Sequence, residues 1–213
     1  MNGFVIAAQL TEGGTGDYSA DGADGADGAD GAAAYGGAAQ WRVRVLKRSV
    51  PDGLESLVRD LRALRSAGVL VGMVCVEDDW CALVRPAPGG ATMLLGDSSV
   101  VVEDDDEPGI DLARDILDEL DVDGPTDEDI DDADDPDAPW PEGDFDMLSD
   151  LGVGEQVVSV IFDDGEILAS DQLLRVAEEL GFDEELAEVL DDLGYGSDGS
   201  DGGGDDDGDG GAW

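Results

Sequence analysis

Three sets of side chains in this sequence could do chemistry. Cys75 and Cys81 stand six apart in "CVEDDWC". Arg42, Arg44, Lys47, Arg48, Arg59, Arg62 and Arg65 put seven of the ten basic side chains into one short stretch. Carboxylates number 55, which leaves a formal charge of −45. Histidine is absent. Its absence removes Ser-His-Asp and Cys-His nucleophilic catalysis, most zinc sites and the commonest general base near neutral pH.

The thiols could face each other across a hairpin with a three-residue turn. With no other soft ligand beside them they read as small core residues. Paired-carboxylate catalysis needs burial or a charge partner to shift a pKa. The runs "EDDDE" and "DEDIDDADDPD" offer neither, and Glu77, Asp78 and Asp79 mark a turn. "DEDIDDADD" has aspartate where an EF-hand loop needs glycine, and "DDDGDGGAW" runs out of chain. "EGGTGDYS" follows a strand but opens no helix, so it is no phosphate cradle. No cofactor and no metal site is expected.

The basic cluster remains. Arg42 and Arg44 fall on one face of a strand and Arg59, Arg62 and Arg65 on one stripe of a helix, with Trp80 at a hairpin tip. These six residues are the candidate partner-binding set. Arginines so placed could contact phosphate, but the surrounding acid outnumbers them and lies a few residues away, so direct nucleic-acid binding is not expected. A solvated face is the simpler account of the arginines, pairing with the chain's own acidic segments the next, and packing explains Trp80.

The elements that would carry these residues follow from periodicity. Phe4–Leu10 reads as a short strand. In "QWRVRVLKR" Trp41, Val43 and Val45 alternate with Arg42 and Arg44, a strand buried on one side. Leu54, Leu57, Val58, Leu61 and Leu64 mark one face of a helix stopped at Gly68, with Asp52 as N-cap and Glu55 three residues on. "VLVGMVCVEDDWCALVRP" reads as two strands about a turn, and "ATMLL" as another. "IDLARDILDEL" is a short amphipathic helix. "VGEQVVSVIFDDGEI" fits a strand by its β-branched residues and a helix by the spacing of Val157, Val158, Ile161 and Phe162. "SDQLLRVAEELGF" is a helix capped by Ser170 or Asp171, and "DEELAEVLDDLG" is another.

The fold class is therefore α+β: a small β-β-α-β-β-β sheet domain with one helix covering a face, then an acidic linker and a short helical C-terminal region. The boundaries are 1–102 for the sheet domain, with a disordered insertion at 11–39; 103–143 for the amphipathic helix and acidic disordered linker; 144–194 for the helical region; and 195–213 for a disordered Gly/Asp tail. The insertion holds four tandem Ala-Asp-Gly triplets. Four triplets without proline make no collagen rod. No apolar run approaches the roughly 20 residues of a spanning helix, and the N-terminus lacks the basic flank of a signal peptide. A soluble cytoplasmic protein is expected.

Taken in order, "WRVRVLKR", "GLESLVRDLRALRSAG", "VEDDWCALVRP", "LLGDSSVV", "ARDILDEL", "DMLSDLGV" and "LLRVAEELGF" resemble the actinobacterial tRNA adenosine deaminase-associated proteins. The resemblance covers most of residues 3–193. It implies association with the tRNA-editing deaminase through gene neighbourhood, and no activity of its own. The deaminases themselves need H-x-E and P-C-x-x-C around zinc, and this chain has neither. Family members usually join the first two strands by a short turn, where this chain carries its insertion.

Three functional readings follow. The first is a non-catalytic accessory protein of the tRNA adenosine deaminase. The second is an acidic interaction module or nucleic-acid mimic with a different basic partner. The third is a small carboxylate hydrolase, which would show a buried, pKa-shifted acid pair in a pocket. Adaptation to salt would spread the acid over folded surfaces; much of it lies in low-complexity segments instead.

Overall fold

The computed structural model describes residues 3–11, 40–66, 68–102, 108–133, 135–136 and 138–195. The Ala-Asp-Gly insertion, the run at 103–107 and the tail from 196 lie outside the described residues. The strands are β1 (Phe4–Thr11), β2 (Gln40–Lys47), β3 (Leu70–Val76), β4 (Trp80–Ala87), β5 (Gly90–Leu95) and β6 (Glu142–Gly143). The helices are α1 (Leu54–Ala63), α2 (Ile110–Leu120), α3 (Asp127–Asp131), α4 (Glu155–Phe162), α5 (Ala169–Leu180) and α6 (Asp183–Leu193). The strands form one sheet, ordered β2-β1-β3-β4-β5-β6, and every described pairing is antiparallel. The expected α+β class and the β-β-α-β-β-β order both stand.

Helices cover both faces, where the sequence pointed to one. Val5, Ala7, Val74, Val76, Ala82, Val84, Met93 and Leu95 pack with α1 and α2. Phe4, Ile6, Ala8, Met73, Cys75, Cys81, Leu83 and Leu94 pack with α4, α5 and α6. Inner strands buried on both sides are apolar at consecutive positions, as β3 is throughout and β1 is from Phe4 to Ala8. β2 is an edge strand, so its alternation survives: Trp41, Val43 and Val45 point into the core, while Arg42 and Arg44 are exposed.

The helical C-terminal region is thus not a separate body beside the sheet; it shares a core with it. The ambiguous segment at 155–163 is a helix, with Val158, Ile161 and Phe162 buried. The stretch read as an acidic disordered linker carries two elements. Thr126 and Asp129 close a capping box on α3, and Glu142–Gly143 adds a short strand beside Leu94 and Leu95. Asp97 joins this chain to the sheet, its Oδ1 accepting from the amides of Ser99 (2.9 Å) and Trp140 (3.1 Å).

Both predicted helix caps are replaced by carboxylates from elsewhere. At α1 the N-cap position is Gly53 rather than Asp52, and the Leu54 amide donates to Asp115 Oδ2 of α2 at 3.0 Å. At α5 neither Ser170 nor Asp171 caps. The Ser170 amide donates to Asp78 Oδ1 at 2.7 Å, from the β3–β4 turn. Each carboxylate satisfies a helix-end amide and meets the positive end of the helix dipole. Packing brought them there, so local spacing could not reveal them.

β1 and β2 pair to their tips, Thr11 opposite Gln40, with the Thr11 hydroxyl donating to the Gln40 carbonyl at 3.1 Å. The insertion therefore springs from adjacent ends of a closed hairpin. Deleting residues 21–32 should leave thermal unfolding unchanged, because shortening this connection alters closure entropy by only about 0.5 kcal/mol. A large drop in melting temperature in that deletion would show that the insertion packs on the fold.

Candidate functional site

The five candidate arginines lie on the α1 side of the sheet, two on β2 and three on or just after α1. Arg42 and Arg44 lie on the β2 edge, on the α1 side of the sheet, because Arg42 pairs with Gln9 and Gln9 with Leu70. The Arg44 guanidinium donates to the Gln9 side-chain carbonyl. On α1, Arg59 donates to Ser56 Oγ at 2.9 Å and Arg62 to the carbonyls of Ala87 (2.9 Å) and Gly90 (2.7 Å) in the β4–β5 turn. Arg62 therefore staples a helix to a hairpin. Arg65 follows the end of α1 with a φ of 48°. Among the described residues, the guanidinium groups of Arg42 and Arg65 have no hydrogen-bond or ion-pair partner.

Two open grooves flank α1. One, of about 590 Å³, is lined by Leu61, Arg62, Arg65, Leu70, Arg85 and Pro86. The other, of about 490 Å³, lies between α1, α2 and β5 and is lined by Leu54, Val58, Arg59, Met93 and Glu119. Arg59 lines the second groove, Arg65 the first and Arg62 both, so the helical stripe runs from one groove to the other. Trp80 is 3% exposed, packed under Gly109, where a Cβ would come within 2.7 Å of the indole. It is a core residue, and the sequence position at a hairpin tip gave no sign of the chain that covers it.

A polar cavity of about 230 Å³ sits at the opposite end of β4, lined by Asp78, Asp79, Asp97, Gln172 and Leu168 among others. The turn that carries Asp78 and Asp79 puts Glu77 and Asp78 at positive φ, 52° and 68°. Partial burial first, then the charges of Asp97 and Glu77, push the Asp79 carboxyl up. An acid pair of this kind is what carboxylate catalysis would use. Here Asp97 and Asp78 are committed to backbone amides, which accounts for their placement without a substrate.

The thiols face each other across the hairpin, Cys75 opposite Cys81. Both are free and buried, and burial pushes both pKa values far above the ordinary thiol range. Cys81 Sγ donates to Gln172 Oε1 at 3.3 Å. These are packing groups, not thiolate nucleophiles. Among the described residues no group of three or more Cys, Asp or Glu is placed to hold a metal ion, and no helix is long and apolar enough to cross a membrane.

On the α4–α6 side Arg85 makes a forked pair with Asp150, at 2.6 and 2.9 Å, and also donates to the Met147 carbonyl. The Arg85 hydrogen bond holds the Asp150 carboxyl below its usual range. A carboxyl with a depressed folded pKa stabilises above its unfolded pKa, about 3.9, and the benefit fades as pH falls through the lower folded value. Asp150 is 59% exposed, so the pair contributes no more than about 1 kcal/mol. Asp150→Asn should thus lower stability slightly at neutral pH, with the gap to wild type closing below about pH 3.9. A gap that persists at acid pH would assign the loss to something other than this pair.

A family model described as Rv3753c-like tRNA adenosine deaminase-associated protein matches residues 31–183. Protein Rv3753c of Mycobacterium tuberculosis (strain ATCC 25618 / H37Rv) is 38% identical over 155 residues, covering 73% of this chain and 83% of the relative. No solved structure matches. The matched span runs through β2 to α5 and so takes in the candidate arginines, both α1 grooves and the polar cavity. This chain belongs to the Rv3753c-like tRNA adenosine deaminase-associated protein family.

Proposed function

We infer that this chain is a non-catalytic accessory or regulatory protein of the tRNA adenosine deaminase. The observation that carries the reading is membership of a family described as associated with that deaminase. Charge supports it. An enzyme that acts on tRNA must present a cationic surface to phosphate, and a chain of formal charge −45 is complementary to such a surface and steered towards it. Bound there, the polyanion competes with tRNA or shields the enzyme from non-specific nucleic acid. The sites described above fit a binding role: buried thiols, carboxylates committed to helix ends and arginines used as staples.

The test is co-elution of the purified deaminase with the full chain at low and high salt, alongside an editing assay on tRNA. A complex that weakens with salt, with an altered editing rate, is the expected result. If the two proteins elute separately at low salt and editing is untouched, the reading fails.

A further inference from the structure

The outer face of α4 is uncovered. Val158, Ile161 and Phe162 bury one side of this helix, while Val157 and Val160 are 37% and 69% exposed on the other. Residues three apart on a helix are surface neighbours. The connection from α4 to α5 ends on Leu168, itself 56% exposed and lining the polar cavity. Isolated exposed apolar side chains are ordinary. Val157 and Val160 form an apolar ridge on α4, and Leu168 adds a further exposed apolar side chain on the loop that follows.

The setting of the patch narrows its occupant. Exposed Glu155, Asp163 and Glu166 flank it. Between 155 and 195 thirteen carboxylates accompany one base, Arg175, and that base is paired with Asp164 at 2.7 Å. A second copy, a nucleic acid or an anionic membrane would set like charge against like. A protein surface with an apolar ridge fringed by lysine and arginine fits both the patch and its rim. Interfaces of this kind have a desolvated centre and a polar border.

We propose that the exposed face of α4, with Leu168, is the docking surface for a basic protein partner, Val157 and Val160 forming its apolar centre and Glu155, Asp163 and Glu166 its rim. It rests on the reading above in taking the deaminase as that partner. The rim speeds encounter and the valines hold the complex.

The test titrates purified deaminase against the full chain and three variants, Val160→Asp, Val160→Lys and Asp52→Ala. Val160 is mostly solvent-exposed, so neither substitution should change the melting temperature. Asp52→Ala makes the same charge change as Val160→Lys, on the α1 side of the sheet. Val160→Asp should weaken binding about tenfold and Val160→Lys further, while Asp52→Ala binds as wild type. Wild-type affinity in Val160→Lys overturns the docking surface and leaves the accessory reading standing. Failure of the wild-type chain to bind overturns both. A dimer of the chain alone that Val160→Lys dissolves would assign the face to self-association and also overturn the proposal.

Discussion

Phe182→Ala should destabilise the protein by about 3–5 kcal/mol and melt the sheet and the α4–α6 layer together. Phe182 is fully buried at the junction of α5 and α6. Its ring lies 4.6 Å from that of Trp41 on β2, and the Trp41 indole N–H donates to the Leu180 carbonyl at 2.9 Å. Truncation leaves a cavity between an edge strand and two helices and removes an aromatic contact worth about 0.5–1.5 kcal/mol beyond its area. In a chain of this size each kcal/mol lowers the melting temperature by about 2–4 °C, so a drop of roughly 10 °C is expected. Far-UV and tryptophan signals should shift in step. Helices that melt early over an intact sheet would show that the shared core does not bind the layers into one unit.

The second large effect falls on Gly143. Its φ is +136°, a region that side chains rarely enter. A Cβ there would stand 2.3 Å from the Met93 carbonyl oxygen and 2.9 Å from Leu94 Cα. Both are backbone, and the same Met93 oxygen accepts from the Asp144 amide at 2.8 Å. Nothing can move without unpicking β6 from β5. Gly143→Ala should therefore cost about 2–4 kcal/mol, strain and lost pairing together. It should also open residues 121–143 to limited proteolysis. A wild-type melt with unchanged protease resistance would show that the β6 pairing does not anchor this segment.

Strand and helix order was legible because periodicity reports what a segment's own faces meet. The alternation in Trp41–Val45 marked an edge strand, and the leucines of α1 marked its buried stripe. The second helical layer was missed, although "FVIAA" and "VLVGMVCV", apolar at consecutive positions, carried the sign of strands buried on both sides. β6 is two residues long and sits in acidic surroundings, so no pattern could announce it. The surroundings of the arginines were hidden for a related reason. Spacing assigns Arg42 and Arg62 to faces of their own elements, but only the tertiary arrangement decides that one faces solvent and the other grips a turn. The exposed Val157 and Val160 were hidden among apolar neighbours that are buried.

The borrowed caps bear on the order in which the chain folds. The acceptor for the first amide of α1 lies 61 residues away, at Asp115. The acceptor at the start of α5 lies 92 residues away, at Asp78. Neither helix can finish its first turn alone; each must wait for a contact of long sequence separation, whose loop entropy is lost before the contact repays it. In pulse-labelled refolding, the Leu54 and Ser170 amides should gain protection after the interiors of their own helices, together with the docking of α2 and the closing of the β3–β4 turn.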